Sequence, residues 1–553
     1  LSVFSEAILA GEKGCEVHYA DGTTEALPLP FGGPGQSRGP ARSLVLKAAD
    51  GETFGIEFAE PTPFTYHGAA RLPLAAERLA AGDVRRLTFT LRLPAEAEFT
   101  LAAEDIPVES SEWFEWKGIG QPRTESVLRM DDWLPRPAGA QGRVQMRGDA
   151  LVIGGQPVRF WGVNLCYAAC APDKAVADRR AEMYAAYGIN AVRLHKFADG
   201  RGWAGILSPR SAIQYDPEGL ARLDYFVARL KERGIYVKLS SNFGRVLVGP
   251  DDLPRVPGAE AFPTDRAGFH TLPHGALWYW DEVADLHAEQ MAALLRHVNP
   301  HTGLSYAKDP AIFVVELVNE NTIFFNGMSA LNREQPALLE RAGRLFFDWV
   351  KQRYGSRDAL EAAWGAGVIG GFRHEKLTDE GWDRGILYPI GNPWFFDPIN
   401  LEGSQRARQA RLLDTMQFMY ERQNQVYERL ARAIRATGYD GLLVASNWQA
   451  GRAYSHYLNL HSDARIGLVD RHNYFSGGAS MLSVPGGGML STGLQQVAGR
   501  PFMLSEWIHT FPSEFGVEGP AILGAYGMGL NGWDVSFIFQ NADPVSYTHL
   551  RAH

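Results

Sequence analysis

The chain has 553 residues, of which 45% are hydrophobic, 21% charged and 11% aromatic. That is an ordinary globular composition with enough apolar material for a large core, and it excludes disorder, collagen and coiled coil as the main description. With 54 Lys and Arg against 63 Asp and Glu, the formal charge is −9, so the basic footprint of a general nucleic-acid binder is missing.

In chain order, residues 1–145 predict a run of short strands. "CEVHYA", "SLVLKA", "TFGIEFA", "RRLTFTLRL" and "EFTLAAE" are separated by turn signals such as "ADG" and "FGGPGQ". This spacing predicts a β-sandwich-like accessory domain. "WLPRPAGAQG" (133–142) is rich in Pro and Gly and reads as a linker. From residue 146 the pattern changes to alternating strand and helix. "PVRFWGVNL" is a first strand, and "DKAVADRRAEMYAAYG" a helix closing at Gly188. "INAVRLHKF" is a second strand. "DPEGLARLDYFVARLKERG" is a helix with Asp216 as N-cap, Pro217 in the first turn and Gly234 at its end. "IYVKLSSN" is a third strand, "LWYWDEVADLHAEQMAALLRHV" a helix, and "AIFVVELVNEN" a fourth strand. Four more strands follow at "GLLVASNW", "IGLVDRHNY", "PFMLSEW" and "GLNGWDVSFIF". Eight near-continuous apolar strands with intervening helices predict an α/β fold, a (β/α)8 TIM barrel over 146–543. Neither a dinucleotide fingerprint nor a phosphate loop is present, and no cofactor is expected.

Two carboxylates close apolar strands. In "AIFVVELVNEN", strict alternation puts Glu316, Val318 and Glu320 on one face, with Glu320 last, at the C-terminal mouth where barrels place their chemistry. In "RPFMLSEWIHT", Glu506 ends another strand. A lone Glu at such a position usually meets solvent. Two on one barrel can face each other, and carboxyls about 5 Å apart serve retaining glycoside hydrolysis. Glu316, deeper in its strand, reads as a structural carboxylate needing a buried cation, with Arg193 the expected partner.

The motifs "VELVNEN" and "LSEW" together resemble clan A of the glycoside hydrolases, at its cellulase-like family 5 branch, and the resemblance covers about residues 150–543. "RYGSRDALEAAWG" also resembles the family 42 β-galactosidases of the same clan. The resemblance implies Glu320 as acid/base, Glu506 as nucleophile, and Asn319 as the residue that bonds the sugar 2-hydroxyl. It matches Arg193 to the clan's strand-two Arg, His472 and Tyr474 to its strand-six pair, and Trp533 to its strand-eight aromatic, a flat face for the sugar. His195, Asn242 and Trp507, at or near strand ends, complete the expected substrate-binding set. Glu506 must stay ionised, with Arg193 and Tyr474 to hold it so; Glu320 must be protonated to donate to the leaving oxygen. The implied substrate is a β-glucan or β-mannan type carbohydrate, with a β-galactoside as the alternative. An inactive carbohydrate-binding barrel is the non-enzyme alternative, which the two intact Glu residues disfavour.

Other readings are weaker. His472, His509 and Asp470 lack the spacing of a metal hydrolase, so no metal is expected. Lys196 and Lys238 are the strand lysines that a Schiff-base barrel would need. Trp278, Tyr279 and Trp280 either line outer subsites or pack. Cys15, Cys166 and Cys170 are too few for a disulfide framework, and the C-x3-C pair reads as two buried small side chains. No apolar run approaches the roughly 20 residues that cross a bilayer; neither membrane nor nucleic acid is an expected partner. The chain opens at Leu1 without a leader pattern, which leaves a removed signal or a fragment, with a secreted or periplasmic location favoured. The ending 544–553 breaks with the preceding pattern and is set aside as a non-native tail, leaving few residues for an eighth helix.

Overall fold

The structure is a computed structural model that describes residues 6–93 and 129–539 apart from short breaks, the longest at 74–87. The chain divides into two compact units, Leu1–Trp116 and Lys117–His553. The run "EFTLAAE", the expected tail and any eighth helix lie outside the described residues.

In the first unit the described residues form one antiparallel sheet of seven strands. Its centre is the pair Gln36–Lys47 and Thr53–Tyr66, with Cys15–Tyr19 beside the former. Val17, Leu44, Leu46, Ile56 and Phe64 are fully or almost fully buried and form its core. Four of the five expected runs meet strands of this sheet, "RRLTFTLRL" as Phe89–Arg92; the three central ones alternate buried and solvated side chains.

The second unit is an eight-stranded parallel barrel. Its strands are β1 (Phe160–Cys166), β2 (Ala191–His195), β3 (Tyr236–Ser240), β4 (Ile312–Glu316), β5 (Leu442–Val444), β6 (Val469–Phe475), β7 (Phe502–His509) and β8 (Val535–Ile538). They are paired in the order β5-β4-β3-β2-β1-β8-β7-β6, and every pairing is parallel. Among the described residues β5 and β6 share no ladder, so the barrel is nearly closed. All eight expected strands are present, which makes this a (β/α)8 TIM barrel.

The surrounding helices follow local rules. Helix α1 (Lys174–Ala186) starts at Asp173, whose side chain accepts from the Val176 N–H, and Gly188 follows with φ +69°. Helix α2 (Pro217–Glu232) starts at Asp216, which caps the Gly219 N–H, with Pro217 in the first turn. Its Leu223, Val227 and Leu230 are buried on the sheet. Gly234 has φ +85°, and a Cβ there would stand 2.7 Å from the Pro135 carbonyl oxygen. That contact shows what the Pro/Gly-rich segment does. The stretch read as a linker packs against the barrel: Leu134 and Ala138 are buried, and Arg143 donates to the carbonyls of Ala307 and Asp309. A short antiparallel sheet (Gln145–Arg147, Ala150–Ile153, Gln156–Pro157) adds Leu151 and Ile153 to the apolar cluster of Phe160, Phe313, Met503 and Phe537. The amide of Leu151 bonds Asp534, just ahead of β8, so this sheet lies at the N-terminal end of the barrel strands.

Helix α3 (Asp281–Arg296) carries the expected third crossover. Between β4 and β5 the chain inserts α4 (Pro336–Tyr354), α5 (Arg357–Trp364) and the 28-residue α6 (Gln409–Ala436). Arg411 and Glu380, both buried, tie this insertion together with two 2.6 Å bonds. Helix α7 (Ala453–Ile466) joins β5 to β6. Trp278, Tyr279 and Trp280 are at most 2% exposed, and the indole of Trp278 donates to Asn321; they pack rather than line a groove. The three cysteines are free and buried, and burial pushes the Cys166 thiol up to about 12. Among the described residues no helix is long and apolar enough to cross a membrane.

Candidate active site

Strand register sets the site. Asn164, Arg193 and Lys238 stand side by side on β1, β2 and β3, while His472 stands beside Glu506 on β6 and β7. Register slips occur between Arg471 and His472 and between Leu504 and Trp507. Bulges of this kind re-aim side chains beside active sites.

Arg193 is fully buried and is the hub. Its Nη1 donates to Glu506 Oε1 at 2.5 Å and to Asn164 Oδ1 at 2.9 Å. Its Nη2 donates to Asn319 Oδ1 at 2.7 Å and to Glu316 Oε1 at 3.0 Å. Glu316 therefore has the cation expected for it, and a second one: Lys238 Nζ lies 2.7 Å from Glu316 and 2.6 Å from Asp470. Burial alone would raise the Glu316 pKa; Arg193 and Lys238 outweigh it and hold the carboxyl down at about 2.

Glu506 is 3% exposed and accepts on both oxygens, from Arg193 and, at 2.5 Å, from the Tyr474 hydroxyl. Burial opposes its ionisation, but His472, Arg193, Lys196 and the Tyr474 hydrogen bond prevail and keep it well below the usual carboxylate range. The same burial and the Glu506 charge push the Tyr474 hydroxyl far above its ordinary value, so it remains a donor. His195 Nδ1 bonds Ser240 Oγ at 2.7 Å, and its Nε2 faces Glu506 at 3.4 Å. Burial, then Arg193 and Lys196, hold this ring neutral, well below the usual histidine range.

Glu320 departs from the alternation expected of it. The chain leaves strand geometry after Glu316: Leu317 and Val318 both join the apolar cluster, Asn319 turns to Arg193, and Glu320 has φ +43°. A non-glycine residue in the left-handed region is held there by its surroundings. Here the backbone N–H of Glu320 donates to Asn447 Oδ1 at 2.8 Å. Its carboxyl is 2.7 Å from His472 Nδ1, which is itself 3.4 Å from Glu506. One potential ligand atom from each of Glu320, His472 and Glu506 lies within 4.8 Å of the others, so the two carboxyls stand close together, with His472 beside both. Such a trio could also attract a cation, but Glu506 already spends both oxygens on Arg193 and Tyr474, and the cationic Arg193 and Lys196 disfavour a further positive charge. The donor set does not suit a resident metal.

Asn319 gives its oxygen to Arg193 and Asn447, and its amide nitrogen is buried without a partner among the described residues. That leaves one buried amide donor of Asn319 unused among the described residues.

Three expected residues stand elsewhere. Trp533 precedes β8 instead of following it: it is fully buried, packs on Phe502 at the N-terminal end of the strands, and donates to Gln496. The aromatic that follows β8 at the mouth is Phe539, whose ring is 5.9 Å from that of Tyr474. Trp507 adjoins Glu506 in β7 and so points to the opposite face, where it packs on Trp161 and donates to Ser536. Asn242 turns to α3, bonding Gln290 and meeting His287. Conversely, Asn164, Ser240 and Asn447 support the site although no sequence motif marks them. Asn164 and Ser240 are polar interruptions of apolar strands, which was the available signal. A groove of about 590 Å³ lined by Asp149, Arg159, Arg500 and Asp534 opens at the N-terminal end of the strands, away from the carboxylates.

No protein-family model matches the chain. Mannan endo-1,4-beta-mannosidase 3 of Oryza sativa subsp. japonica is 31% identical over 180 residues, which is 31% of this chain and 35% of that protein. Mannan endo-1,4-beta-mannosidase 4 of the same organism is 26% identical over 272 residues, 47% of this chain and 54% of its own length. The chain thus spans between a third and about half of the length of these relatives. Among solved structures, the endo-1,4-beta-mannanase from Rhizomucor miehei aligns with a TM-score of 0.42 at 13% identity, over 74% of this chain and 93% of its own. The resemblance carried by the strand-end motifs, to the cellulase-like family 5 branch of the clan A glycoside hydrolases, is thus matched by sequence relatives of that kind.

Proposed function

We propose that the chain is a retaining glycoside hydrolase that cleaves β-mannan within the chain. The observation that carries this is the pair of carboxyls within 4.8 Å of one another, one of them doubly hydrogen-bonded by Arg193 and Tyr474. Two carboxyls this close leave no room for a water between sugar and base, and favour direct attack by one of them. Glu506, kept anionic, forms the bond to the anomeric carbon. Glu320 gives a proton to the leaving oxygen as the glycosidic bond breaks, then takes a proton from the water that releases the sugar. Asn319 supplies an N–H for the 2-hydroxyl. The mannan preference and the internal cleavage are supported by what the rice relatives are named for. The all-β first unit is read as a sandwich-like accessory domain.

The reading is tested by incubating the protein with β-1,4-mannan, glucomannan, carboxymethyl cellulose and an aryl β-galactoside. Fastest release of mixed-length mannan oligosaccharides is expected. Release of single galactose units alone would support an exo-acting β-galactosidase instead, and no hydrolysis of any β-linked substrate would leave a binding barrel.

The pH dependence carries a sign. Glu506 is held low, so it is ionised at pH values above that depressed pKa and loses its charge only as pH falls through it. Tyr474→Phe removes a hydrogen bond to a charged group, worth about 1.5–3 kcal/mol. The expected result is a kcat/KM lower by roughly ten- to a hundredfold, with the acid limb of its pH profile moved to higher pH. An unmoved limb would show that Tyr474 does not hold the Glu506 charge.

A further inference from the structure

Lys196 stands at the barrel mouth and takes no part in the proton transfers above. It follows β2, adopts φ +61°, and is 5% exposed. Its ammonium has no ion-pair or hydrogen-bond partner among the described residues. It lies over aromatic faces: 4.1 Å from the Phe243 ring centre, 5.4 Å from that of Tyr167 and 5.7 Å from that of Phe539. Ring faces attract a cation, but they offer no acceptor to its three N–H donors. At the barrel mouth those donors are met by water or by a ligand that displaces it.

The surroundings say what that is. Tyr167, with φ +58°, meets Trp203 edge to face at 5.1 Å, and Trp203 is 71% exposed. Outward from Glu506 the sequence of contacts is Tyr474, Phe539, Lys196, Tyr167, Trp203. Tyr167, Lys196, Phe243 and Phe539 follow β1, β2, β3 and β8. Glu320, in contrast, is tied to Asn447 after β5 and to His472 on β6. The leaving group lies on the side of the acid, so the arc bearing Lys196 faces the part of the substrate that Glu506 retains. An exposed indole offers a flat apolar face suited to sugar C–H groups, and an unpaired ammonium suits clustered hydroxyls.

We propose that Lys196, Tyr167 and Trp203 form a glycone-side subsite. Lys196 donates to hydroxyls of the sugar next to the one attacked by Glu506, and Trp203 carries a further unit on its face. This rests on the proposed glycosidase reading. Lys196 is a specificity-determining residue here, and Asp199 and Glu506 are the anions that also act on it electrostatically.

The test compares Lys196→Met, Lys196→Arg and Trp203→Ala on mannobiose through mannohexaose, with circular dichroism to confirm folding. Lys196→Met is expected to lower kcat/KM on mannotetraose by at least tenfold, mainly through KM and beyond any upward movement of the acid limb that loss of a cation near Glu506 brings, with partial recovery in Lys196→Arg. Trp203→Ala, at an exposed position, is expected to lose kcat/KM on the longer oligosaccharides and not on the shorter. An acid limb moved upward with KM unchanged would make Lys196 only a support for the Glu506 charge, and a length-independent Trp203→Ala would remove the subsite; either overturns the proposal. If Lys196→Met does not fold, Trp203→Ala decides alone. If the wild-type protein hydrolyses no mannan, the glycosidase reading fails separately, and calorimetric titration with mannohexaose and cellohexaose still reads the subsite. Binding weakened by Trp203→Ala supports it, and absence of binding or an unchanged affinity overturns it.

Discussion

Replacing Glu506 by Gln is expected to lower kcat/KM on β-mannan by about 10⁴-fold or more, a loss of roughly 5 kcal/mol of transition-state stabilisation. The amide keeps the shape of the carboxyl but cannot attack the anomeric carbon. The fold is expected to persist, because Arg193 retains Glu316 as its anion, through bonds of 3.0 to 3.2 Å. Steady-state kinetics together with a melting curve check both halves. Appreciable turnover by a properly folded variant would remove Glu506 as nucleophile.

Replacing Glu320 by Ala is expected to act according to the leaving group. For a sugar leaving group, which needs a proton, general acid catalysis contributes about 10²–10⁴-fold, and kcat/KM should fall by that factor. For a 2,4-dinitrophenyl glycoside, whose phenolate leaves unaided, bond cleavage should survive and release of the second product should become slow, giving a burst. Added azide, which needs no general base, should then restore turnover. Equal losses on both substrates would show that Glu320 does not deliver the proton. The geometry makes this the informative position: Glu320 is seated by one backbone bond to Asn447 and a 2.7 Å bond to His472, and neither contact does the work of the missing carboxyl.

Much of this site was legible because strands repeat every two residues. Glu506 closes an apolar run, so position brought it to the mouth, whereas Arg193 was placed by the resemblance; it and His195, two apart in β2, both turn inward. Asp216 and Gly188 were legible because capping depends on neighbours only. Period failed where the backbone changed. Val318 was expected to share a face with Glu316 and Glu320, and the break after Glu316, with the left-handed Glu320, sent it into the apolar cluster instead. Trp533 was misplaced because a strand's first residue cannot be told from its last in an apolar run; β8 begins two residues later. Trp507 lies at a strand end, but it follows Glu506 directly, and adjacent strand residues face opposite ways. The insertion between β4 and β5 was hardly read as helices, although α4 shows Pro336 in its first turn and Gly355 at its end. The glycone-side patch was invisible for another reason. It assembles Tyr167, Lys196 and Trp203 from separate loops, with Tyr167 and Lys196 in left-handed conformations that no propensity marks.

The most direct test is the configuration of the first product. Following early hydrolysis of mannotetraose or reduced mannan oligosaccharides by proton NMR, before mutarotation, the β-anomer of the new reducing end is expected to appear first, since two displacements at one carbon restore its configuration. The α-anomer appearing first would mean a single displacement by water, and the paired action of Glu320 and Glu506 described above would be wrong.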